Sequence, residues 1–345
     1  MADNKRHSSQ QPHTAPKRSL RHPSSLFAVP APIRELFARF PLITYAANEL
    51  PYRARRDGSK HALHIFTTPL GARMDAPSYN PGCLKWQVRI LDTIVAMCAD
   101  LGAHSQTYLK FLEVPFTTIP SSNHASPSGA LPFVLPASSS EPVPISKIDT
   151  WLKNQLHKDT SAMPIQQQPY ASLLSQPIRL AYLHALYLDD EAFRDIATRY
   201  YIHPSSSHSL VRTAMAPSLR AAALDQILSA RPSNAPEPFV DLERLYADAD
   251  EAFDALSTLL EGRDWFASTS VLSEDAKVSH ADAAKSEQPG IFDASVFAYT
   301  HVILTLFAGL SDGSPGARLR QSITRRSNLL DHHTRIAKRY YHSPR

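Results

Sequence analysis

A proline inside a short apolar run constrains the fold of this chain more than any other feature. Residues 131–135 read LPFVL, and Pro132 cannot donate a hydrogen bond to a sheet ladder. It therefore belongs at a strand start, an edge or a tight turn, a position where a cis peptide bond is often found. Upstream, residues 114–119 are rich in β-branched side chains and predict a strand, and residues 120–129 have the composition of a loop. The stretch 114–136 thus predicts a strand, a loop and a proline-led strand.

The residues on either side of this stretch complete a small mixed domain. Residues 61–66 predict another strand, and residues 83–87 predict a helix after the turn-like run 78–82. Strand, helix, strand and proline-led strand is the order of a thioredoxin-type half domain. Residues 145–156 predict its last helix. We therefore predict a thioredoxin-like domain over residues 61–160.

The second half of the sequence predicts an all-helical domain over residues 170–341. Ser175 is a candidate helix cap with Pro177 in the first turn. An apolar series recurs every three or four residues and ends before Gly262, as in a core-facing helix. Its members are Phe239, Leu242, Tyr246, Ala249, Phe253, Leu256 and Leu260.

A second helix of this half is predicted to be central because it is apolar nearly all round. Gly290 occupies its N-cap position, and Asp293 lies where a carboxylate satisfies first-turn N–H groups. We assign Asp293, like Pro132, a structural role. Residues 268–288 before it are polar and acidic and are predicted to be a disordered loop. The apolar stretch 296–310 is 15 residues long, shorter than the ~20 residues of a membrane-spanning helix.

Composition limits the class of protein. The chain has 345 residues, a hydrophobic content of 43% and a net charge of +4, compatible with an anionic membrane surface or nucleic acid but requiring neither. Its two cysteines, Cys83 and Cys98, do not form a disulfide framework, so a reducing compartment is expected. Residues 1–29 are predicted to be a disordered basic tail. A transit peptide is the alternative, but several prolines there oppose a long amphipathic helix.

Several stretches resemble the metaxin family: CLKWQ at residue 83, TYLKFLEVPFTTIP at 107, SNHASPSGALPFVLP at 122 and FDASVFAYTH at 292. The resemblance covers about residues 30–310. It implies a glutathione-transferase-like arrangement, with the thioredoxin-like domain followed by the helical one. The buried helix with Asp293 as its capping acid resembles the helix of glutathione transferase C-terminal domains.

The resemblance also implies a function and a location. Metaxin-like proteins belong to the mitochondrial sorting and assembly machinery and lie peripherally on the cytosolic face of the outer membrane. The implied partners are an Omp85-type β-barrel subunit, a second metaxin-like subunit and the sorting signals of β-barrel precursors. On this basis we expect a non-enzyme without cofactor or metal that helps precursors to insert. Signals are expected to bind in a cleft between the domains or to add a strand to a sheet edge.

Two terminal regions are candidate contact surfaces. The entry segment, residues 30–60, contains an apolar helix face that either packs on its own fold or docks on a partner. The candidate docking residues are Ile33, Leu36, Phe37 and Phe40. Residues 318–345 are basic with an apolar side, which indicates a solvated helix face or a contact with an anionic membrane or acidic partner.

Residues 88–106 are a probable insertion, because deleting them leaves a continuous CLKWQTYLKFL helix leading into a strand. The segment begins with Val and ends with Gln, as an intron read in frame would. A retained intron and a genuine helix extension are the two interpretations, and transcript sequencing across codons 88–106 distinguishes them.

The alternative function is a glutathione-dependent transferase or thiol reductase that uses Cys83. A cysteine at a helix start is a candidate thiolate. However, no second cysteine stands at CxxC spacing, and the acid and serine that transferases place at the amino end of glutathione read Ile145 and Ser146 here. No nucleotide-binding or hydrolase motif occurs. His61 and His64 face opposite sides of a strand and suit no metal, and no nucleic-acid module is present.

Overall fold

The computed structural model describes residues 60–88, 90, 116–137, 139, 141–156, 163, 167–230, 240–266 and 289–341. Four predictions lie largely or wholly outside these residues: the tail 1–29, the entry segment 30–60, the insertion 88–106 and the loop 268–288. Only Val88 and Ile90 of the insertion are described with their side chains, and both are buried.

The first half contains a four-stranded sheet with the order β2-β1-β3-β4. β1 runs parallel to β2 and antiparallel to β3, and β3 is antiparallel to β4. This mixed sheet confirms the thioredoxin-like part of the predicted fold class. The strands are β1 (His61–Ile65), β2 (Phe116–Pro120), β3 (Phe133–Leu135) and β4 (Val143–Pro144).

Three short helices accompany this sheet. Helix α1 (Pro69–Arg73) begins at Thr68, whose side chain accepts a hydrogen bond from the Gly71 N–H. Helix α2 occupies residues 81–88 and continues to Ile90, and helix α3 (Ile148–Leu156) follows a 3-10 turn. The sequence did not predict α1 or β4, because a five-residue helix and a two-residue strand are too short to show a periodicity.

Helix α2 belongs to two hydrophobic cores. Leu84 and Val88 pack with the helical half of the chain, whereas Cys83, Trp86 and Ile90 pack against the sheet. The residues within each set lie three or four positions apart, so each set occupies one face of the helix. Helix α2 therefore lies between the two halves and contributes side chains to both cores.

The second half is a bundle of helices. They are α4 (residues 168–188), α5 (residues 190–202), α6 (Ser209–Ser229), α7 (Leu242–Leu260), α8 (Ile291–Leu306), α9 (Pro315–Thr324) and α10 (Ser327–Tyr341). Together with the sheet domain they confirm the predicted fold class. The predicted cap at Ser175 is wrong: Ser175 and Pro177 lie inside α4, within a wide π-helical stretch, Leu174–Ile178.

Helix α8 is the centre of this bundle, since Phe292, Val296, Phe297 and Val302 have no exposed surface. Together with the turn that follows it, α8 forms the segment Ile291–Gly309, which has 19 residues and a mean hydropathy of 1.6. These are the length and hydropathy of a membrane span. The segment is longer than the apolar stretch of 15 residues noted in the sequence. Most of the segment, 61%, is buried inside the protein. Its apolar composition is thus explained by its place in the core.

Asp293 fixes the start of α8. Its Oδ2 accepts a hydrogen bond of 2.8 Å from the Gly290 N–H, and its Oδ1 accepts one of 2.8 Å from the Phe266 N–H. The Nε2 of His332, on α10, lies 3.0 Å from the same Oδ1. Both side chains are completely buried. One carboxylate therefore joins α8, the chain after α7 and α10.

Replacing this carboxylate is expected to destabilise the protein severely. Asp293→Ala leaves two backbone N–H groups and His332 without their acceptor, so we expect the free energy of unfolding to fall by about 3–5 kcal/mol. Urea denaturation followed by circular dichroism measures the change.

The matched control is Asp331→Asn, an exposed carboxylate beside His332 on the same helix. It should change the free energy of unfolding by less than about 0.5 kcal/mol. Equal stability of the Asp293→Ala variant and the unchanged protein would contradict the role assigned to Asp293.

Candidate functional site

The candidate site lies where β1 ends and α2 begins, at the junction of the two halves. The chain between these elements is fixed by internal hydrogen bonds. Ser78 Oγ donates to the Phe66 carbonyl (2.6 Å), and the Ser78 N–H donates to Gln87 Oε1 (2.9 Å). Gln87 Nε2 donates to the Ala76 carbonyl. Ser78 and Gln87 are both buried. Because Gln87 is a residue of α2, these hydrogen bonds hold the loop against that helix.

Cys83 lies in the first turn of α2, as the sequence indicates, but its thiol is fully buried. Its backbone N–H donates to Asn80 Oδ1 (3.2 Å), which caps the helix. Burial raises the pKa of the Cys83 thiol to about 12, although hydrogen bonds with Phe66 and Ser78 lower it in part. The group is therefore a neutral thiol at physiological pH, because its helix face points into the sheet core.

A cluster of aromatic rings closes the junction on the side of the helical half. The Tyr79 hydroxyl donates to the Tyr200 carbonyl (2.9 Å), and the Tyr201 hydroxyl donates to the Tyr79 carbonyl (3.2 Å). The rings of Phe66 and Tyr201 meet edge to face with centroids 5.2 Å apart. Burial raises the pKa values of Tyr79 and Tyr201 well above 10. These hydroxyls are thus neutral donors that join the loop before α2 to α5.

The loop before β3 is closed by its own side chains. Asn123 Oδ1 accepts a hydrogen bond from the Leu131 N–H (3.1 Å), and Ser126 Oγ donates to the Ala130 carbonyl (2.6 Å). The Leu131–Pro132 peptide bond is cis. The register of β1 and β3 pairs His64 with Phe133, so Pro132 directly precedes the last paired residue of β3, near the end of β1. Pro132 therefore lies at the candidate site, and the N–H before it already has an acceptor.

Ile145 and Ser146 follow β4 in a 3-10 turn, Ile145–Lys147. Ser146 is exposed, whereas Ile145 packs against the sheet core. The apolar side chain thus occupies the position where the transferase pattern places a carboxylate for the glutathione ammonium group. An aliphatic side chain cannot pair with that charge.

The other predicted residues are either outside the described part of the chain or engaged elsewhere. The docking residues Ile33, Leu36, Phe37 and Phe40 lie outside the described residues. The ring of His61 packs on Trp151 and that of His64 on Phe133, and burial lowers the pKa values of both histidines. Within the described part of the chain no group of three or more side chains could hold a metal ion.

Three arginines of the basic C-terminal region pair with acidic residues of the same chain. Arg318 pairs with Glu243 (3.0 Å) and Arg335 with Asp264 (3.4 Å). Arg326 has a side chain only 9% exposed and pairs with both Asp250 and Asp254. These contacts fasten α9 and α10 to the bundle, so three of the arginines of this region serve internal packing.

A match to a domain family supports the same fold. Residues 103–192 match the family of the glutathione S-transferase N-terminal domain. A glutathione S-transferase from Methylobacterium radiotolerans, in complex with glutathione sulfonate, has a similar structure at 14% identity and a TM-score of 0.40, over 82% of this chain and 93% of that one. A beta-etherase from Sphingobium is similar at 11% identity and a TM-score of 0.35, over 80% and 99%. No curated protein sequence matches the chain.

One expectation from the sequence is corrected by these comparisons. We predicted that the chain is not an enzyme, whereas residues 103–192 match a domain family of glutathione S-transferases. The prediction relied on the metaxin resemblance and on the absence of the acid and the CxxC spacing expected for glutathione chemistry. The glutathione-transferase-like fold itself is as predicted.

The aromatic cluster is the main feature of the junction that the sequence did not predict. Tyr200 and Tyr201 are adjacent to each other and lie more than 120 positions from Tyr79. A contact at that separation leaves no periodic signal. The local run SYNPG did indicate a turn before α2, but nothing in it specifies where the tyrosine points.

The burial of Cys83 predicts its reactivity. The test uses a Cys98→Ser variant, in which Cys83 is the only thiol. At pH 8 we expect this thiol to react with a disulfide reagent at least about a hundredfold more slowly in the native protein than in denaturant. The reason is that a neutral, buried thiol is a poor nucleophile. Absorbance of the released thiolate measures the rate. A native rate equal to the denatured rate would show that Cys83 is accessible.

Proposed function

We propose that the chain is the thirty-five-kilodalton, metaxin-like subunit of the mitochondrial sorting and assembly machinery. In this proposal it lies peripherally on the cytosolic face of the outer membrane and recognises incoming β-barrel precursors. It works beside an Omp85-type β-barrel subunit and a second metaxin-like subunit, and it helps the precursor to reach the barrel. The metaxin-like stretches around Cys83, β2, β3 and α8 support the choice of family.

One observation carries the proposal: the polar groups around the start of α2 bind protein atoms. The Ser78 hydroxyl, the Leu131 N–H and the Tyr79 hydroxyl all have acceptors within the chain. Cys83 is a buried neutral thiol, and Ile145 replaces the acid expected for glutathione. A surface of this kind is better suited to a protein ligand than to a small charged peptide.

A precursor segment that binds as an added strand needs an edge of the sheet. β2 and β4 are the edges among the described strands. β4 has two residues and one of them is Pro144, which donates no hydrogen bond. β2 has five residues with proline only at its last position. We therefore favour β2 over β4 as the edge that a sorting signal extends.

Affinity purification of the tagged chain from mitochondria tests the proposal. The expected result is co-purification of an Omp85-type barrel and a second metaxin-like protein. Changing Ile33, Leu36, Phe37 and Phe40 to Ser should reduce recovery of the barrel at least about tenfold, because four apolar anchors are lost.

The matched control is Leu70→Ser with Met74→Ser, which removes two side chains that are 66% and 71% exposed on and beside α1. Circular dichroism verifies folding of both variants. Undiminished recovery after the fourfold change refutes docking through this segment, and absence of any barrel protein refutes the proposed complex.

A second candidate is a glutathione-dependent transferase, which the match of residues 103–192 favours. Cys83 would not be its nucleophile, because its pKa is raised to about 12. Isothermal titration with glutathione and a thiol-transfer assay test this candidate. Saturable binding that weakens in Ser146→Ala and persists in Cys83→Ala would support it, and absence of binding and turnover would exclude it.

A further inference from the structure

The turn between α5 and α6 protrudes from the helical half. Of residues 203–214, all are exposed except Ser206 and Arg212, which are half-buried. Two aliphatic side chains stand at its end, where α6 begins: Leu210 is 72% exposed and Val211 47%. Exposure of two adjacent aliphatic side chains on a protrusion costs free energy in water. We refer to residues 203–214 as the α5–α6 tip.

The chain segment that forms this tip has no acidic side chains of its own. From Ile196 to Leu224 the sequence contains no aspartate or glutamate, but it contains three arginines and two histidines. Arg220 pairs with Asp190 and stacks on Phe193. Arg199 stacks on the Tyr200 ring, and Arg212 lines the hollow next to the apolar end. The apolar pair Leu210 and Val211 is therefore followed directly by a cationic side chain.

A shallow hollow lies behind the apolar end, between α5 and α6. Its volume is about 420 Å³. Arg212 and Ser209 line it with a guanidinium group and a hydroxyl group, whereas the hydroxyls of Thr198 and Thr213 donate to the Phe193 and Ser209 carbonyls. Guanidinium and hydroxyl donors suit the oxygen atoms of a phosphate group.

We propose that the α5–α6 tip is a membrane-contact site, with Leu210 and Val211 inserted into the interface of an anionic bilayer and Arg212 bound to lipid phosphate. Exposed apolar side chains next to a cationic one are the general chemistry of interfacial binding to anionic lipid. A membrane matches a convex tip because it needs no complementary groove.

A protein groove fits this surface less well. A helix that docks in a groove presents aliphatic anchors at i, i+3, i+4 and i+7. Beginning at Leu210, these positions are Thr213, Ala214 and Pro217, which offer little apolar bulk. The choice of the mitochondrial outer membrane as the target rests on the proposed function, whereas binding to anionic lipid is independent of it.

Flotation of the full chain with lipid vesicles tests the site. Two kinds are compared: neutral phosphatidylcholine vesicles, and vesicles that also contain phosphatidylserine. We expect stronger binding to the anionic vesicles, weakened by salt. Leu210→Ser with Val211→Ser should lower the partition coefficient at least about tenfold, and Arg212→Gln should lower it about fivefold.

The control variant is Leu70→Ser with Met74→Ser, which removes the other two large exposed apolar side chains among the residues that the structure describes. Its binding should stay within about twofold of the unchanged protein. Equal binding of the tip variants, a larger loss in the control, or no binding of the unchanged protein to anionic vesicles would each overturn the proposal. If the unchanged protein does not bind anionic vesicles, an acidic protein is the remaining candidate partner of the tip.

The vesicles contain no protein, so this test separates lipid binding from membership of the assembly complex. Binding to vesicles without co-purification of the barrel would support the membrane-contact site and reject the proposed function. Co-purification of the barrel without binding to vesicles would reject the membrane-contact site and support the proposed function. Circular dichroism verifies folding, and Arg212→Gln provides a second variant if the double serine change unfolds α6.

Discussion

The buried carboxylate of Asp293 is the interaction on which most of the helical half depends. A charge without exposed surface is costly unless its oxygens are hydrogen-bonded, and here they bind Gly290, Phe266 and His332. The central helix α8 is thereby placed relative to α10 and to the end of α7. Helices α4 and α5 pack on the same core. Because α5 carries Tyr200 and Tyr201, the position of the junction with the sheet domain also depends on this carboxylate.

Cys83 shows that a cysteine in the first turn of a helix can be an unreactive thiol. A cysteine in the first turn of a helix is activated only if its side chain reaches solvent or a cation. Cys83 faces the sheet, beside the Phe66 carbonyl and the Ser78 hydroxyl. The helix N-terminus is present, but desolvation of the thiol is the larger effect. Position along a helix is therefore not sufficient to identify a nucleophile.

The features that local sequence predicts well are those set by local chemistry. Pro132 restricts where a strand can begin, Asp293 caps the helix three residues after Gly290, and the apolar series of α7 shows a helical period; each is found at the predicted place. The misses have a different origin. Pro177 was interpreted as a helix start, but a π-helical stretch accommodates it in the interior of α4. The sheet-facing side of α2 could not be identified, because Leu84 and Val88 form a second apolar face.

Helix α2 has a consequence for motion within the molecule. Its two faces are buried in different cores, so a rotation of one half against the other would expose either Leu84 and Val88 or Trp86 and Ile90 to water. Hinged opening and closing around a ligand is therefore opposed by the same helix that lines the junction. The described parts of the two halves are therefore expected to keep one relative orientation, because any turn of α2 removes apolar side chains from one of the two cores.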